Sequence, residues 1–452
     1  MIQVVKRNLY QGLVAWKEKK ASFPGGRKPL ILEGARQVGK TYLLKAFGRR
    51  HFPTVHYLNF EQTGTLAHIF APDLRPHRIL KELEFHFGHP IDVHNDLLIF
   101  DEVQTVPQAL TSLKYFCEEL PELALCCAGS LLGLELHHGA FPVGKVEFLH
   151  LYPVAFEEFL QALGDQRSLD ALHGFTLKEP IPPLVHDHLW YCLKNYFVVG
   201  GLPEVVEAFA KLQDSPFVAM EAVRKLQQDL LITYLADMAK HAGKQNSMHL
   251  ERLLRHIPEQ LAKTQDQSAK KFKFSGAIPG LQGYARLAGA IDWLHKAKLV
   301  MKIPIVNRAA LPLSAYAKDN CFKLYLFDVG LLGALSGLTP KTLLDYAYGS
   351  YKGYFAENFV AQEFMASGVS HMYAWNERTA EVEFLRDIDG KIYPIEVKSG
   401  WVSQAKSLRV FAQKYHPPCQ IILSGKNLQI DQRTNTHYYP LYLAGRLPLM
   451  EG

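Results

Sequence analysis

The chain contains little cysteine, with six residues among 452. No two of them form a C-x-x-C pair and none has a histidine at a spacing that suits zinc; they are Cys117, Cys126, Cys127, Cys192, Cys321 and Cys419. This composition excludes a small disulfide-stapled scaffold and is typical of a reducing cytosol. Cys126 and Cys127 lie in an apolar run, which predicts buried thiols that act as small hydrophobic side chains.

Long hydrophobic runs are also absent. The longest, residues 123–134, is too short to span a bilayer and is interrupted by Gly129 and Ser130. Residues 1–11 contain Lys6 and Arg7 but no apolar core of a signal peptide, so we expect a cytoplasmic protein that makes no membrane contact. The net charge of +6 and the pI near 8.8 permit contact with nucleic acid without requiring it. The length predicts two to four domains.

A phosphate-loop pattern stands near the amino terminus. The apolar residues 30–32 are followed by Gly-x-x-x-x-Gly-Lys-Thr and then by apolar residues at helical spacing, which predicts a strand, a glycine loop and a helix. Such a loop points its N–H groups at a polyphosphate. The candidate ATP-binding residues are Gly34, Ala35, Arg36, Gln37, Val38, Gly39, Lys40, Thr41 and Tyr42. Lys40 would reach the β- and γ-phosphates and Thr41 would hold Mg²⁺; the alternative is a chance glycine turn before a helix.

A second apolar run, residues 96–102, ends in two carboxylates. In a phosphate-loop ATPase we expect this strand to lie beside the first, with Asp101 ordering the Mg²⁺ shell and Glu102 polarising the attacking water. The alternative is plain helix capping. An extra strand at residues 55–60 indicates the branch of the phosphate-loop ATPases that carries a catalytic glutamate. Ser130, which ends the next strand, is then a candidate γ-phosphate sensor or an ordinary strand-end serine.

The alternation of strands and helices from residue 30 predicts an α/β domain with a parallel sheet over residues 1–164. Residues 165–340 have a helical pattern, and the helix 285–299 followed by strands 300–306 and 322–327 predicts a winged helix. A basic segment, residues 263–273, contains Phe272 and would suit contact with DNA or RNA phosphates. The alternative is a solvated loop beside a helical packing domain.

Residues 341–452 return to an α/β pattern. A helix, three antiparallel strands with an Asp389-Gly390 turn, a helix and a strand form the core order of the PD-(D/E)xK nucleases. Glu383 and Glu396 could bind a divalent metal, and Lys398 shares a strand face with Glu396. Glu357 could supply a further carboxylate. A Glu-x-Lys sequence is, however, common on any exposed strand.

With these residues assembled, the chain resembles a large group of prokaryotic ATPases with an AAA-type N-terminal domain and a C-terminal DUF4143 domain. The resemblance rests on separated blocks in the same order, at residues 34–41, 99–104, 128–130, 151–159, 200–204, 325–332, 357–360 and 394–400. It implies an ATP-binding domain, a helical and winged-helix middle and a nuclease-like C-terminal module. Two positions depart from the family pattern. This chain has Lys145 where the family usually has arginine, and Glu383 where the family has aspartate.

These features predict a Mg²⁺-dependent ATPase that acts as a nucleotide-driven switch on nucleic acid. One alternative is an ATP-gated, metal-dependent DNA nuclease. Another is an ATP-loaded module that binds DNA or a protein partner without hydrolysis, which the lysine at position 145 and the glutamate at position 383 favour. Self-association is a further expectation.

Overall fold

The computed structural model describes residues 7–19, 26–62, 64–130, 132–135, 142–177, 179–265, 271–345, 351–401 and 405–449. Contacts between these residues divide the chain into two compact units. The amino-terminal unit comprises Lys6–Tyr152 with Lys296–Lys298, and the carboxyl-terminal unit contains Pro153–His295 and Leu299–Gly452. Within the described residues, the helices fall short of the length and apolarity needed to cross a membrane.

The amino-terminal unit is built on a parallel sheet of five strands. The strands are β1 Leu30–Glu33, β2 Val55–Asn59, β3 Leu97–Asp101, β4 Ala124–Gly129 and β5 Glu147–His150. Their order in the sheet is β2-β3-β4-β1-β5. The three central strands β1, β3 and β4 are buried along their whole length, which explains their continuous apolar sequence. The predicted parallel α/β fold is confirmed.

One detail of the sheet differs from the expectation. β3 does not lie beside β1, because β4 pairs with both of them and separates them. Asp101 therefore approaches the loop after β1 from two strands away. The prediction of direct adjacency was wrong because strand order is set by packing between distant segments, which a sequence pattern does not encode.

In the described part of this unit, five α-helices accompany the sheet: α1 Tyr10–Glu18, α2 Lys40–His51, α3 Pro76–Phe87, α4 Pro107–Glu119 and the short α5 Leu132–Glu135. One buried apolar cluster joins α3 and α4 to the strands. Phe60, Phe70 and Phe100 contact one another edge to face in it, at centroid distances of 5.4 to 5.9 Å. This core fixes β2 and β3, whose carboxyl ends carry the polar residues described below.

The carboxyl-terminal unit contains a helical part and a second sheet. Its helices are α6 Phe156–Ala162, α7 Gln166–Gly174, α8 Pro183–Val199, α9 Pro203–Lys211, α10 Pro216–Ala242, α11 Lys244–Gln265, α12 Tyr284–Lys296, α13 Val329–Leu335, α14 Pro340–Asp345, α15 Tyr351–Ala366 and α16 Lys406–Tyr415. Its strands are β6 Val300–Val306, β7 Ala317–Leu326, β8 Tyr373–Glu377, β9 Ala380–Ile388, β10 Lys391–Val397, β11 Gln420–Ser424, β12 Gln429–Asp431 and β13 Thr436–Pro440.

The sheet has eight strands in the order β12-β13-β11-β10-β9-β8-β6-β7. The predicted succession of helix, three antiparallel strands, helix and strand is present as α15, β8, β9, β10, α16 and β11. The hairpin turn is also where the sequence predicts it, with positive φ at Asp389 and Gly390.

The predicted wing takes a different form. β6 and β7 pair antiparallel as expected, but β6 also pairs with β8 through Ile305 and Val306. The two strands are therefore the edge of the eight-stranded sheet, and the sheet continues across the predicted boundary at residue 340. Residues 266–270 of the predicted basic segment lie outside the described residues.

Candidate functional site

The loop between β1 and α2 contains two residues with left-handed backbone. Gly39 adopts φ +91° at the N-cap of α2, and Gln37 adopts φ +63°. A Cβ on Gly34 would lie 2.3 Å from the Leu151 carbonyl oxygen, so no other residue fits there. Ala35 and Val38 are buried beneath the loop. The glycines of the motif are thus explained by close approach at Gly34 and by left-handed backbone at Gly39.

Lys40 is the first residue of α2 and its side chain turns back into the loop. Its Nζ donates hydrogen bonds to the carbonyl oxygens of Gly34 at 3.0 Å and Ala35 at 2.7 Å. Burial lowers the pKa of Lys40 to about 8, and the nearby carboxylates Glu102 and Asp101 act in the opposite direction. A buried cation at a helix N-terminus is suited to a phosphate anion.

Asp101 ends β3 and collects three donors. Its Oδ2 accepts hydrogen bonds from the Thr41 hydroxyl at 2.8 Å and from the Tyr57 phenol at 2.7 Å. Its Oδ1 accepts the Glu102 N–H at 3.1 Å. The predicted meeting of Thr41 and Asp101 is therefore present in the structure. A hydroxyl and a carboxylate are the oxygen ligands that Mg²⁺ prefers.

Glu102 follows with a left-handed backbone, φ +50°. Its carboxylate accepts a hydrogen bond from Gln104 Nε2 at 2.5 Å, and the Ser130 hydroxyl lies 3.5 Å from the same oxygen. Ser130 is buried after β4 and accepts a hydrogen bond from Arg36 Nε at 3.2 Å. The candidate base, the candidate sensor and a loop arginine are thus connected by hydrogen bonds.

Two residues of this network are absent from the sequence-based prediction of the site. Tyr57 on β2 orients Asp101, and Gln104 orients Glu102. A Cβ on Gly129 would lie 2.5 Å from Gln104 Oε1, so this glycine gives the amide its place. The sequence indicated Tyr57 only weakly, because Tyr57 comes close to Asp101 through the pairing of β2 with β3. The remaining predicted residue, Tyr42, is 55% exposed on α2.

Lys145 is far from this network. It precedes β5, and β5 pairs with β1 so that Glu147 lies opposite Leu30, the first residue of β1. The candidate loop instead follows the far end of β1, about 13 Å away at roughly 3.3 Å per residue. Lys145 forms an ion pair with Glu118 at 3.0 Å. It does not line the candidate phosphate site of its own chain, where the neighbouring arginine is Arg36.

The C-terminal candidates form a partly buried cluster around β9 and β10, in which Glu396 is buried. Lys398 Nζ lies 2.5 Å from Glu396 Oε1, and Glu383 Oε2 accepts the Val397 N–H at 3.2 Å. Burial and the nearby Glu396 raise the pKa of Glu383 well above its usual range. The structure therefore brings Glu383, Glu396 and Lys398 together, as the strand register predicts.

Glu357 has partners that the sequence did not indicate. The Tyr325 phenol donates a hydrogen bond to Glu357 Oε2 at 2.6 Å, and Lys323 Nζ lies 3.4 Å from the same atom. Lys323 is itself buried and pairs with Glu381 at 2.6 Å. In the part of the chain that the structure describes, Glu357, Glu383 and Glu396 do not form a group with all ligand atoms within 4.8 Å. Lys323 supplies positive charge beside these carboxylates.

Three solved structures with similarity to the chain share little sequence with it. The Walker-type ATPase paby2304 of Pyrococcus abyssi is 16% identical with a TM-score of 0.45, over 72% of this chain and 94% of that one. The ORC1 protein of Aeropyrum pernix in complex with DNA is 13% identical with a TM-score of 0.30, over 74% and 94% of the two chains. AMPPCP-bound DnaA from Aquifex aeolicus is 15% identical with a TM-score of 0.29, over 63% and 86%. No curated protein gives a significant match.

Family models are more informative. The model described as an AAA domain matches residues 26–160, which include the loop, Asp101, Glu102 and Ser130. Models of two domains of unknown function follow, DUF8612 over residues 192–342 and DUF4143 over residues 352–444. The first and last of these domains are the pair that defines the family suggested by the sequence blocks. The chain therefore combines an AAA domain with a C-terminal DUF4143 domain, as the sequence blocks predict.

Proposed function

We propose that the protein is a Mg²⁺-dependent ATPase that works as a nucleotide-driven switch on nucleic acid. The observation that carries this proposal is the hydrogen bond between Thr41 and Asp101 at 2.8 Å, beside the buried ammonium of Lys40. Together they offer two oxygen ligands for a hard cation and one positive charge for a polyphosphate. Thr41, Asp101 and Lys40 lie at the carboxyl edge of the parallel sheet, where α/β proteins bind their ligands.

The residues of the candidate site have separate roles in phosphoryl transfer. The loop N–H groups and Lys40 bind the phosphates, and Lys40 exchanges its two carbonyl partners for phosphate oxygens. Glu102, oriented by Gln104, accepts a proton from the attacking water. Arg36 and Ser130 touch each other next to Glu102 and respond to the γ-phosphate. Such catalysis consists of positioning and charge stabilisation.

Thr41 and Asp101 would hold Mg²⁺. The fit is supported by their donor set, a hydroxyl oxygen and a carboxylate that are already in contact, with Tyr57 fixing the carboxylate from the other side. When bound, the ion neutralises charge on the β- and γ-phosphates. The Tyr57 phenol orients the Asp101 carboxylate through its 2.7 Å hydrogen bond.

The proposal is tested by separating binding from hydrolysis. In Glu102→Gln we expect ATP affinity close to wild type and turnover reduced about 100-fold or more, because general base catalysis is lost. In Lys40→Ala we expect ATP binding itself to be lost. Glu119→Gln, an exposed glutamate on α4, is the matched control. Wild-type turnover in Glu102→Gln, or unchanged affinity in Lys40→Ala by calorimetry, would contradict the proposal.

Nucleic-acid contact is supported by a basic cavity in the carboxyl-terminal unit. The cavity has a volume of about 540 Å³, and Lys271, Lys273 and Lys318 line it together with Tyr316 and Asn320. Lysines and an aromatic ring are suited to a phosphate backbone and an unpaired base.

We expect Lys271→Glu with Lys318→Glu to weaken single-stranded DNA binding and to lower the salt dependence of the binding constant by about one unit of slope per lost phosphate contact. Lys81→Glu, an exposed lysine on α3, is the control. Unchanged affinity and slope in the double variant would exclude this cavity.

A metal-dependent nuclease is the second candidate function. It is supported by the order of α15, β8, β9, β10, α16 and β11, and by Glu396 Oε2, a buried oxygen without a hydrogen-bond partner. The ion pairs of Lys323 favour the alternative, in which the module binds nucleic acid without cutting it. Plasmid cutting with Mg²⁺ or Mn²⁺ separates the two: a nuclease loses activity in Lys398→Ala, whereas equal cutting by both proteins rules out this site.

A further inference from the structure

A cluster of three different ligand types lies at the start of the helical part of the carboxyl-terminal unit. Asp165 is the N-cap of α7, where its Oδ1 accepts the Ser168 N–H at 3.1 Å. His188 and Cys192 stand four residues apart on α8, so their side chains share one helix face. Their ligand atoms, with a carboxylate oxygen of Asp165, all lie within 4.8 Å of one another.

The distances are close to those of a metal centre. His188 Nε2 lies 3.6 Å from Cys192 Sγ and 2.7 Å from Asp165 Oδ2. Around a tetrahedral zinc ion, nitrogen and sulfur ligands are about 3.5 Å apart and nitrogen and oxygen ligands about 3.3 Å apart, from the metal–ligand bond lengths. The sulfur and nitrogen already have that separation, and the carboxylate needs to move by only about half an ångström.

The same geometry argues against a nucleophilic Cys-His-Asp relay. In a relay the acid holds one imidazole nitrogen while the other faces the nucleophile. Here both Asp165 and Cys192 approach Nε2 of His188.

We propose that Asp165, His188 and Cys192 form a binding site for a divalent cation of the zinc class. Sulfur, imidazole nitrogen and carboxylate oxygen together are suited to Zn²⁺ and unsuited to Mg²⁺ or Ca²⁺. The side chain of His188 is 52% exposed, which gives the ion an entry path and leaves its fourth position to water. The ion links the start of α7 to α8, and the thiol proton is released to solvent as the Cys192–metal bond forms.

Cobalt titration of the full chain tests the site, because Co²⁺ bound to a thiolate gives a charge-transfer absorption band. We expect one equivalent of Co²⁺ to produce the band, and Zn²⁺ to displace it. Cys192→Ser should lose the band. His188→Asn and Asp165→Asn should weaken Co²⁺ binding at least tenfold, and asparagine keeps the N-cap of α7.

Matched controls are Cys117→Ser and His173→Asn. His173 is an exposed histidine on α7, and its Nε2 lies 3.4 Å from the Glu157 carboxylate. Circular dichroism verifies that each variant is folded. The thermal midpoint gives a second measurement, because Zn²⁺ should raise the midpoint of the wild type and should raise that of Asp165→Asn by less. A band that survives in Cys192→Ser, or its absence in the folded wild-type protein, would overturn the proposal.

Discussion

Raising the pH from 7 to 9 should weaken ATP binding, because the pKa of Lys40 is about 8. The ammonium is buried in the loop, and burial disfavours its charged form. At pH 7 about nine in ten molecules carry the charge, and at pH 9 about one in ten. If only the charged form binds the triphosphate, the apparent dissociation constant rises roughly tenfold over this interval.

The assay is calorimetry with ATP and Mg²⁺ at constant ionic strength. The triphosphate contributes little to the change, because the second pKa of a phosphate is near 6. Lys40→Arg is the matched variant, since a guanidinium stays charged throughout and should give a flat profile even if its affinity is lower. A wild-type affinity that is constant from pH 7 to pH 9, or the same decline in Lys40→Arg, would refute this prediction.

Three further predictions concern other buried polar groups. Gln104→Ala should lower kcat by about 10- to 100-fold with little change in ATP affinity, because a hydrogen bond to an ionised group contributes about 1.5–3 kcal/mol; steady-state kinetics check this, and an unchanged kcat contradicts it. Burial raises the pKa of Glu363 to about 8, so the folded state holds a proton that the unfolded state releases between about pH 4.5 and pH 8. The free energy of unfolding should therefore fall by about 5 kcal/mol as the pH rises through that window, and Glu363→Gln should flatten the curve; equal slopes in urea titrations would refute it. Lys323→Met should reduce the free energy of unfolding by about 3–5 kcal/mol, because it leaves Glu357 buried without its cation; an unchanged urea midpoint would show that the ion pair is unimportant.

The local parts of the nucleotide site could be predicted from the sequence. Gly34, Lys40 and Thr41 lie within one short stretch, and the apolar runs before Gly34 and before Asp101 identify two strands. The Asp389-Gly390 hairpin is equally local, since its turn residues need positive φ. In these cases the residues that supply the functional groups and those that adopt the required backbone conformation are neighbours in the sequence.

The parts that depend on distant segments were not predictable. β4 lies between β1 and β3, and Tyr57 reaches Asp101 only because β2 pairs with β3. Lys323 lies on β7, far from α15 in the sequence, and pairs with Glu357 on α15. The predicted metal site therefore contains a buried cation that the sequence pattern did not indicate. His188 and Cys192 are close in the sequence, but Asp165 lies 23 residues before His188, so local spacing did not indicate that the three side chains meet.

A crystal structure of the protein with a non-hydrolysable ATP analogue and Mg²⁺ tests the proposed ATP site most directly. We expect the triphosphate along the backbone N–H groups of residues 34–41, with Lys40 Nζ moved from the carbonyl oxygens of Gly34 and Ala35 to the phosphates. We also expect the ion beside Thr41 and Asp101. A nucleotide bound elsewhere, or a Lys40 that keeps both carbonyl partners with the nucleotide present, would contradict the proposal.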